Sequence, residues 1–139
     1  MNSKPEIALK SPFPAVPFPK LFTACIAAAL VPGAGHFVLG KKGRGMLFLI
    51  CIYSMVGLGL LMKGHLYTWS DMDRLSQLYF VSDIGIGLLY PVLYIFNVGR
   101  ELLPGLSLFE HANNFLAVAG LLNYLIIFDA FDLGMGRKA

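Results

Sequence analysis

Asp129 and Asp132 stand three residues apart near the C-terminus, so on a helix they share a face. Paired carboxylates can exchange protons or hold a cation. A second set, Asp83, Gly87, Tyr90, Tyr94 and Asn97, falls at i, i+4, i+7, i+11 and i+14, one stripe of a continuous helix. Such a stripe can glue helices together, with Gly87 allowing close approach, or line a polar path for a small ligand. Pro91, beside the stripe, predicts a kink. His36 has no second His at i+3 or i+4, so a zinc site has no support. Its expected role is a hydrogen bond to a loop carbonyl or a neighbouring helix. The sharper alternative is a ligand to a haem or chlorophyll-type pigment. His65 and His111 fall in loops. Gly35 to Lys42 fits G-x-x-x-x-G-K, but Lys42 stands where a phosphate loop needs Ser or Thr, and no strand precedes it. No nucleotide is expected. Neither a nucleophile–base pair nor a metal cluster is evident, so the sequence predicts no enzyme, no metal and no cofactor apart from the His36 alternative.

These groups sit in an unusually apolar chain. Of its 139 residues, 57% are hydrophobic and 14% charged, against about 25% charged in a soluble domain. The net charge of +3 is small and dispersed, which argues against nucleic acid. Lipid is the expected solvent. A spanning helix needs about 20 apolar residues, and backbone groups in hydrocarbon must be satisfied within the segment. The sequence therefore predicts an all-α integral membrane protein, a bundle of about four transmembrane helices near 21–40, 45–62, 77–99 and 113–133. The first is kinked or re-entrant at Pro32–Gly35, where Pro removes a helix hydrogen bond; the kinked span is preferred. Residues 1–20, with Pro at 5, 12, 14, 17 and 19, read as an extended arm without a cleavable signal peptide. Residues 21–139 form one helical domain. Cys25 and Cys51 lie inside apolar runs and read as small buried hydrophobes without a disulfide.

Residues 32–45, PGAGHFVLGKKGRG, resemble the glycine-rich signature of the two-transmembrane (TM-two) domain family. That signature runs Gly-x-Gly-x-His, aromatic residues, Leu-Gly, a basic turn and Gly. The family's second hallmark, an Asp closing the following helix, is similar to residues 119–132, AGLLN through DAFD. The likeness is greater still to a bacterial membrane family that pairs PGxGH…LG-basic with AGLLN…DAxD. Val38 stands where the family often has Tyr. The resemblance implies a membrane fold and address, and no reaction.

The motif residues Pro32, Gly33, Gly35, His36, Gly40 and Gly45 are expected to be structural, a turn whose backbone geometry matters more than its side-chain chemistry. Lys41, Lys42 and Arg44 are expected at lipid headgroups. Three spans between that turn and the C-terminus would place Asp129 and Asp132 across the membrane from it, whether the first segment spans or re-enters. Their expected partners are Lys63 and Arg74, in ion pairs that pin the helix end. Basic residues divide seven against four in both topologies, so they do not separate the two, and which face the termini occupy stays open. The leading expectation for function is a non-catalytic accessory or scaffold subunit, packed in the bilayer against other integral membrane subunits of a respiratory, photosynthetic or transport complex. A small channel or transporter using the Asp83–Asn97 face is the alternative. The expected address is the bacterial cytoplasmic (inner) membrane, multi-pass.

Overall fold

A computed structural model describes residues 14–70, 73–100 and 108–137. The extended arm expected at the N-terminus lies mostly outside these residues. Among them every regular element is a helix: α1 Phe18–Leu30, α2 Ala34–Val38, α3 Lys42–Leu61, α4 Arg74–Ile84, α5 Leu89–Ile95 and α6 Phe109–Gly134.

Local sequence explains the breaks. Pro17 and Pro19 occupy the start of α1, where a missing N–H is harmless. The residue before a proline avoids the helical region; Val31 accordingly turns extended (φ −132°, ψ 116°) and ends α1 at Pro32. Gly33 then takes φ +83°, which opens the chain into α2. Gly87 does the same at φ +82° between α4 and α5. No glycine of this kind interrupts α3 or α6.

Among the described residues, α3 and α6 are the helices that are each long and apolar enough to cross a membrane. At about 1.5 Å per residue both reach or exceed the ~30 Å hydrocarbon thickness. They run antiparallel. Gly59, late in α3, packs on Leu116 and Ala112, early in α6. Ile52, Val56, Leu116, Ala119 and Ile126 form the core between and around them, joined by Leu66 and Ile86. The near end of this pair is where α3 begins and α6 finishes; the far end is the reverse.

The other helices fold back. At the near end, the Val16 N–H donates to the Gly134 carbonyl (2.9 Å), so α1 begins beside the end of α6. The chain returns through α2 to start α3 at that same end. This is the re-entrant form, in place of the preferred kinked span. The third apolar run was expected to be one helix with a Pro91 kink. Instead α4 and α5 diverge by 114°. The break falls at Gly85–Leu88, and Pro91 sits harmlessly in the first turn of α5. Both open ends of this second hairpin lie at the far end. Tyr79 of α4 donates to Asn114 near the start of α6, and the Leu66 N–H donates to the Gly99 carbonyl (2.7 Å). Where four spans were expected, the described residues thus hold two helices of spanning length and two apolar hairpins that fold back from opposite ends of that pair. Residues 18–61 and 74–134 each consist of a hairpin followed by a long helix, with opposite orientation.

Candidate functional site

The two hairpins meet at the middle of α6. The Leu88 N–H donates to the Leu30 carbonyl (2.7 Å). A Cβ on Gly87 would strike the Ala29 and Leu30 carbonyls, so only glycine lets the tips touch. Gly85 and Gly120 likewise bring α4 against α6 backbone to backbone. Asn123 closes the junction. Its Nδ2 donates to the Gly85 carbonyl (2.8 Å) at the end of α4 and to the Ala28 carbonyl (3.3 Å) in the last turn of α1.

Two helix C-termini therefore converge on one buried amide. The last carbonyls of a helix lack partners within it and carry the negative end of its dipole. The Oδ1 of Asn123 is itself buried, with no hydrogen-bond partner among the described residues. The junction is thus rich in oxygen acceptors at mid-depth, an environment that favours positive charge.

Toward the near end, His36 of α2 bonds to Asp129 of α6 (Nε2 to Oδ2, 3.0 Å). A carboxylate only accepts, so Nε2 carries the proton. The His36 side chain is wholly buried and Asp129 is a quarter exposed. The ring lies edge-on to Phe48, 5.0 Å between centroids. His36 Nδ1 is buried without a hydrogen-bond partner among the described residues. To ligate a pigment His36 would have to release Asp129 or present this buried atom.

Toward the far end, Asp83 is 1% exposed. Its Oδ2 accepts from the Tyr67 N–H (2.9 Å), and the Tyr90 hydroxyl donates to the Tyr67 carbonyl (2.8 Å). Asn113 accepts from the His65 N–H (2.7 Å) and donates to the Tyr67 hydroxyl (3.1 Å). Asp83 Oδ1 has no hydrogen-bond partner among the described residues. Buried polar groups thus occur near the two ends and at the middle of the bundle.

The expected stripe is only partly assembled. Asp83 and Tyr90 meet through Tyr67, and Gly87 forms the tip. Tyr94 and Asn97 are exposed instead, tied to Arg100 by a cation–π contact (4.7 Å) and a hydrogen bond (3.0 Å). The break at Gly85–Leu88 destroys the continuous helical phase on which the stripe depended. The expected ion pairs with Lys63 and Arg74 give way to others. Asp129 pairs with His36, and Asp132 with Arg137 (3.3 Å). The reason is topological. With the α4–α5 hairpin folding back, α6 ends beside the glycine-rich turn, while Lys63 and Arg74 lie at the far end. Lys41, Lys42 and Arg44 are exposed at the near end, on the same side as Arg137. Within the glycine motif, Pro32, Gly33, Gly35 and Gly45 are buried, and Gly40 is exposed at φ +82°. Cys25 and Cys51 are free thiols. Sequence reading missed Asn123, Asn113 and Tyr67 as site residues; a lone amide amid apolar residues was the available signal for Asn123, and the Asn113-Asn114 pair at the start of the last apolar run for Asn113.

Residues 23–139 match a family described as "Family of unknown function (DUF6677)". The chain belongs to this family. No curated protein and no solved structure matches it. The matched residues take in the glycine motif, the first hairpin from Thr23 onward, the second hairpin, both long helices and Asn123.

Proposed function

We propose that this family member is a small membrane-embedded channel or carrier that passes protons or a small monovalent cation through the hairpin junction. One observation carries the reading: two hairpins from opposite ends meet at Asn123, and the C-terminal carbonyls of α1 and α4 converge there. Broken helices that meet near mid-membrane are the recurring way in which transporters expose backbone oxygens to cations. Irregular backbone at membrane depth is tolerated where protein or a wet cavity covers it. Ionisable groups buried at such depth are costly and commonly functional. His36–Asp129, Asn123 and Asp83 supply groups at successive depths. The address that fits is a bacterial cytoplasmic membrane, with the near end inside. Lys20, Lys41, Lys42, Arg44 and Arg137 outnumber Lys63, Arg74 and Arg100 among the described residues.

Proteoliposomes test this. Purified protein is reconstituted with a pH-sensitive dye inside, and a potassium diffusion potential is applied; sodium and potassium fluxes are read in parallel. Protein-dependent flux of one cation is expected, reduced at least about ten-fold in Asn123→Leu, a loss equal to ~1.4 kcal/mol of barrier. Tyr94→Phe, on the exposed face, should conduct normally. No flux above empty vesicles for any cation would sink the reading.

A second reading, an accessory subunit, rests on α5. None of its residues is buried, and Ile95 and the adjoining Phe96 are 73% and 74% exposed. A partner helix could cover that face. Mild solubilisation that yields a stoichiometric membrane partner, together with no flux, would favour it.

A further inference from the structure

On the outer surface, α3 and α6 leave a groove of about 580 Å³. Leu47 and Cys51 form one wall, and Leu122 and Leu125 the other, with Asp129 and Asp132 at its near end. The sequence places these residues together. Arg44, Leu47 and Cys51 are at i, i+3 and i+7 on α3; Leu122, Leu125, Asp129 and Asp132 are at i, i+3, i+7 and i+10 on α6. Each run is one helix face. The groove is therefore apolar along its length and ends in the two carboxylates of α6; Arg44, outside the lining itself, falls on the same face of α3 one turn before Leu47, at that end. Arg137, paired with Asp132, adds a second cation.

We infer that this groove binds an aminophospholipid, with the acyl chains between α3 and α6 and the headgroup at the near end. The charge pattern selects the headgroup. A primary ammonium can donate hydrogen bonds to Asp129 and Asp132, joining the network that already holds them to His36 and Arg137. The lipid phosphate meets Arg44 and Arg137, whose guanidinium groups suit phosphate oxygens. A quaternary ammonium has no N–H to donate. An anionic glycerol headgroup brings no cation to the carboxylates. The proposal concerns the outer surface and stands whether or not the hairpin junction conducts.

The test uses the full chain in mild detergent with equimolar phosphatidylethanolamine, phosphatidylcholine and phosphatidylglycerol of identical acyl chains, and bound lipid read by native mass spectrometry. Phosphatidylethanolamine is expected to bind about ten-fold more tightly than the other two, the gain from one hydrogen bond to a charged group. Asp132→Asn should remove most of that preference while leaving His36–Asp129 intact. Leu125→Trp, which fills the groove, should lower occupancy by all three lipids. Equal or stronger binding of either other lipid to the wild-type protein overturns the inference. So does an unchanged preference in Asp132→Asn. The wild-type comparison decides the matter even if a variant fails to fold.

Discussion

The bond between His36 and Asp129 joins a residue of the first hairpin to one in the last helix. It holds a fully buried imidazole, which would otherwise leave a polar ring in an apolar bundle. Removing the carboxylate should cost about 1–3 kcal/mol, the range for stranding a buried polar group. The expected outcome is that Asp129→Ala is destabilised by that amount in reversible denaturant titration. His36→Leu together with Asp129→Ala should lose less than the sum of the single variants, because the stranded group is gone. Strict additivity would mean that the contact contributes nothing. Asp129 was legible in the sequence as a chemical residue, but its partner was not. Counting the third apolar run as a span put His36 and Asp129 on opposite sides of the bundle, and the return of the α4–α5 hairpin brings the two together. Asn123 stood in plain view within AGLLN, yet a single amide gives no clue to which carbonyls it will meet.

At the scale of elements, α3 and α6 were readable because uninterrupted apolar runs of spanning length have few alternatives. Their observed limits differ from the expected 45–62 and 113–133 by a few residues. The third run was misread for a physical reason. Hydropathy sums side chains and ignores backbone, so the sequence Gly85-Ile86-Gly87 counted as apolar filler when it is a hairpin tip. The glycines can be separated by what surrounds them. A Cβ at Gly120 would land on the Ser82 carbonyl, whereas Gly43 has open space around it. Gly120→Val should therefore collapse accumulation in the membrane, read by quantitative immunoblot. Gly43→Ala, within α3, should accumulate at wild-type level or better, since alanine favours a helix by about 0.8–1.0 kcal/mol over glycine. The same yield from both variants would contradict the close approach of α4 and α6.

For the whole molecule, the hairpin topology and the four-span topology differ in one measurable way. Two hairpins place Lys41 and Arg137 on the same face; four spans place them on opposite faces. In a background with Cys25→Ser and Cys51→Ser, single cysteines at Lys41→Cys and Arg137→Cys should react with an impermeant maleimide from one side. Ser70→Cys, in the connection between α3 and α4, should react only from the other. Labelling of Lys41→Cys and Ser70→Cys from the same side would refute the arrangement. The positive-inside reading adds that the face bearing Lys41 is cytoplasmic, which intact cells or inverted vesicles can report.

The bond from Val16 to Gly134 also bears on timing. A ribosome releases α1 early, but the groups that complete it lie on α6, near the end of the chain. At about 5–20 residues per second, the first hairpin waits on the order of ten seconds for Asn123, Ala130 and Gly134 to be made. Throughout that interval its broken tip must reside at the bilayer without the helix that will satisfy it. Biogenesis of this protein should therefore depend on whatever shelters unfinished hairpins in the membrane, and slower elongation should prolong the exposure.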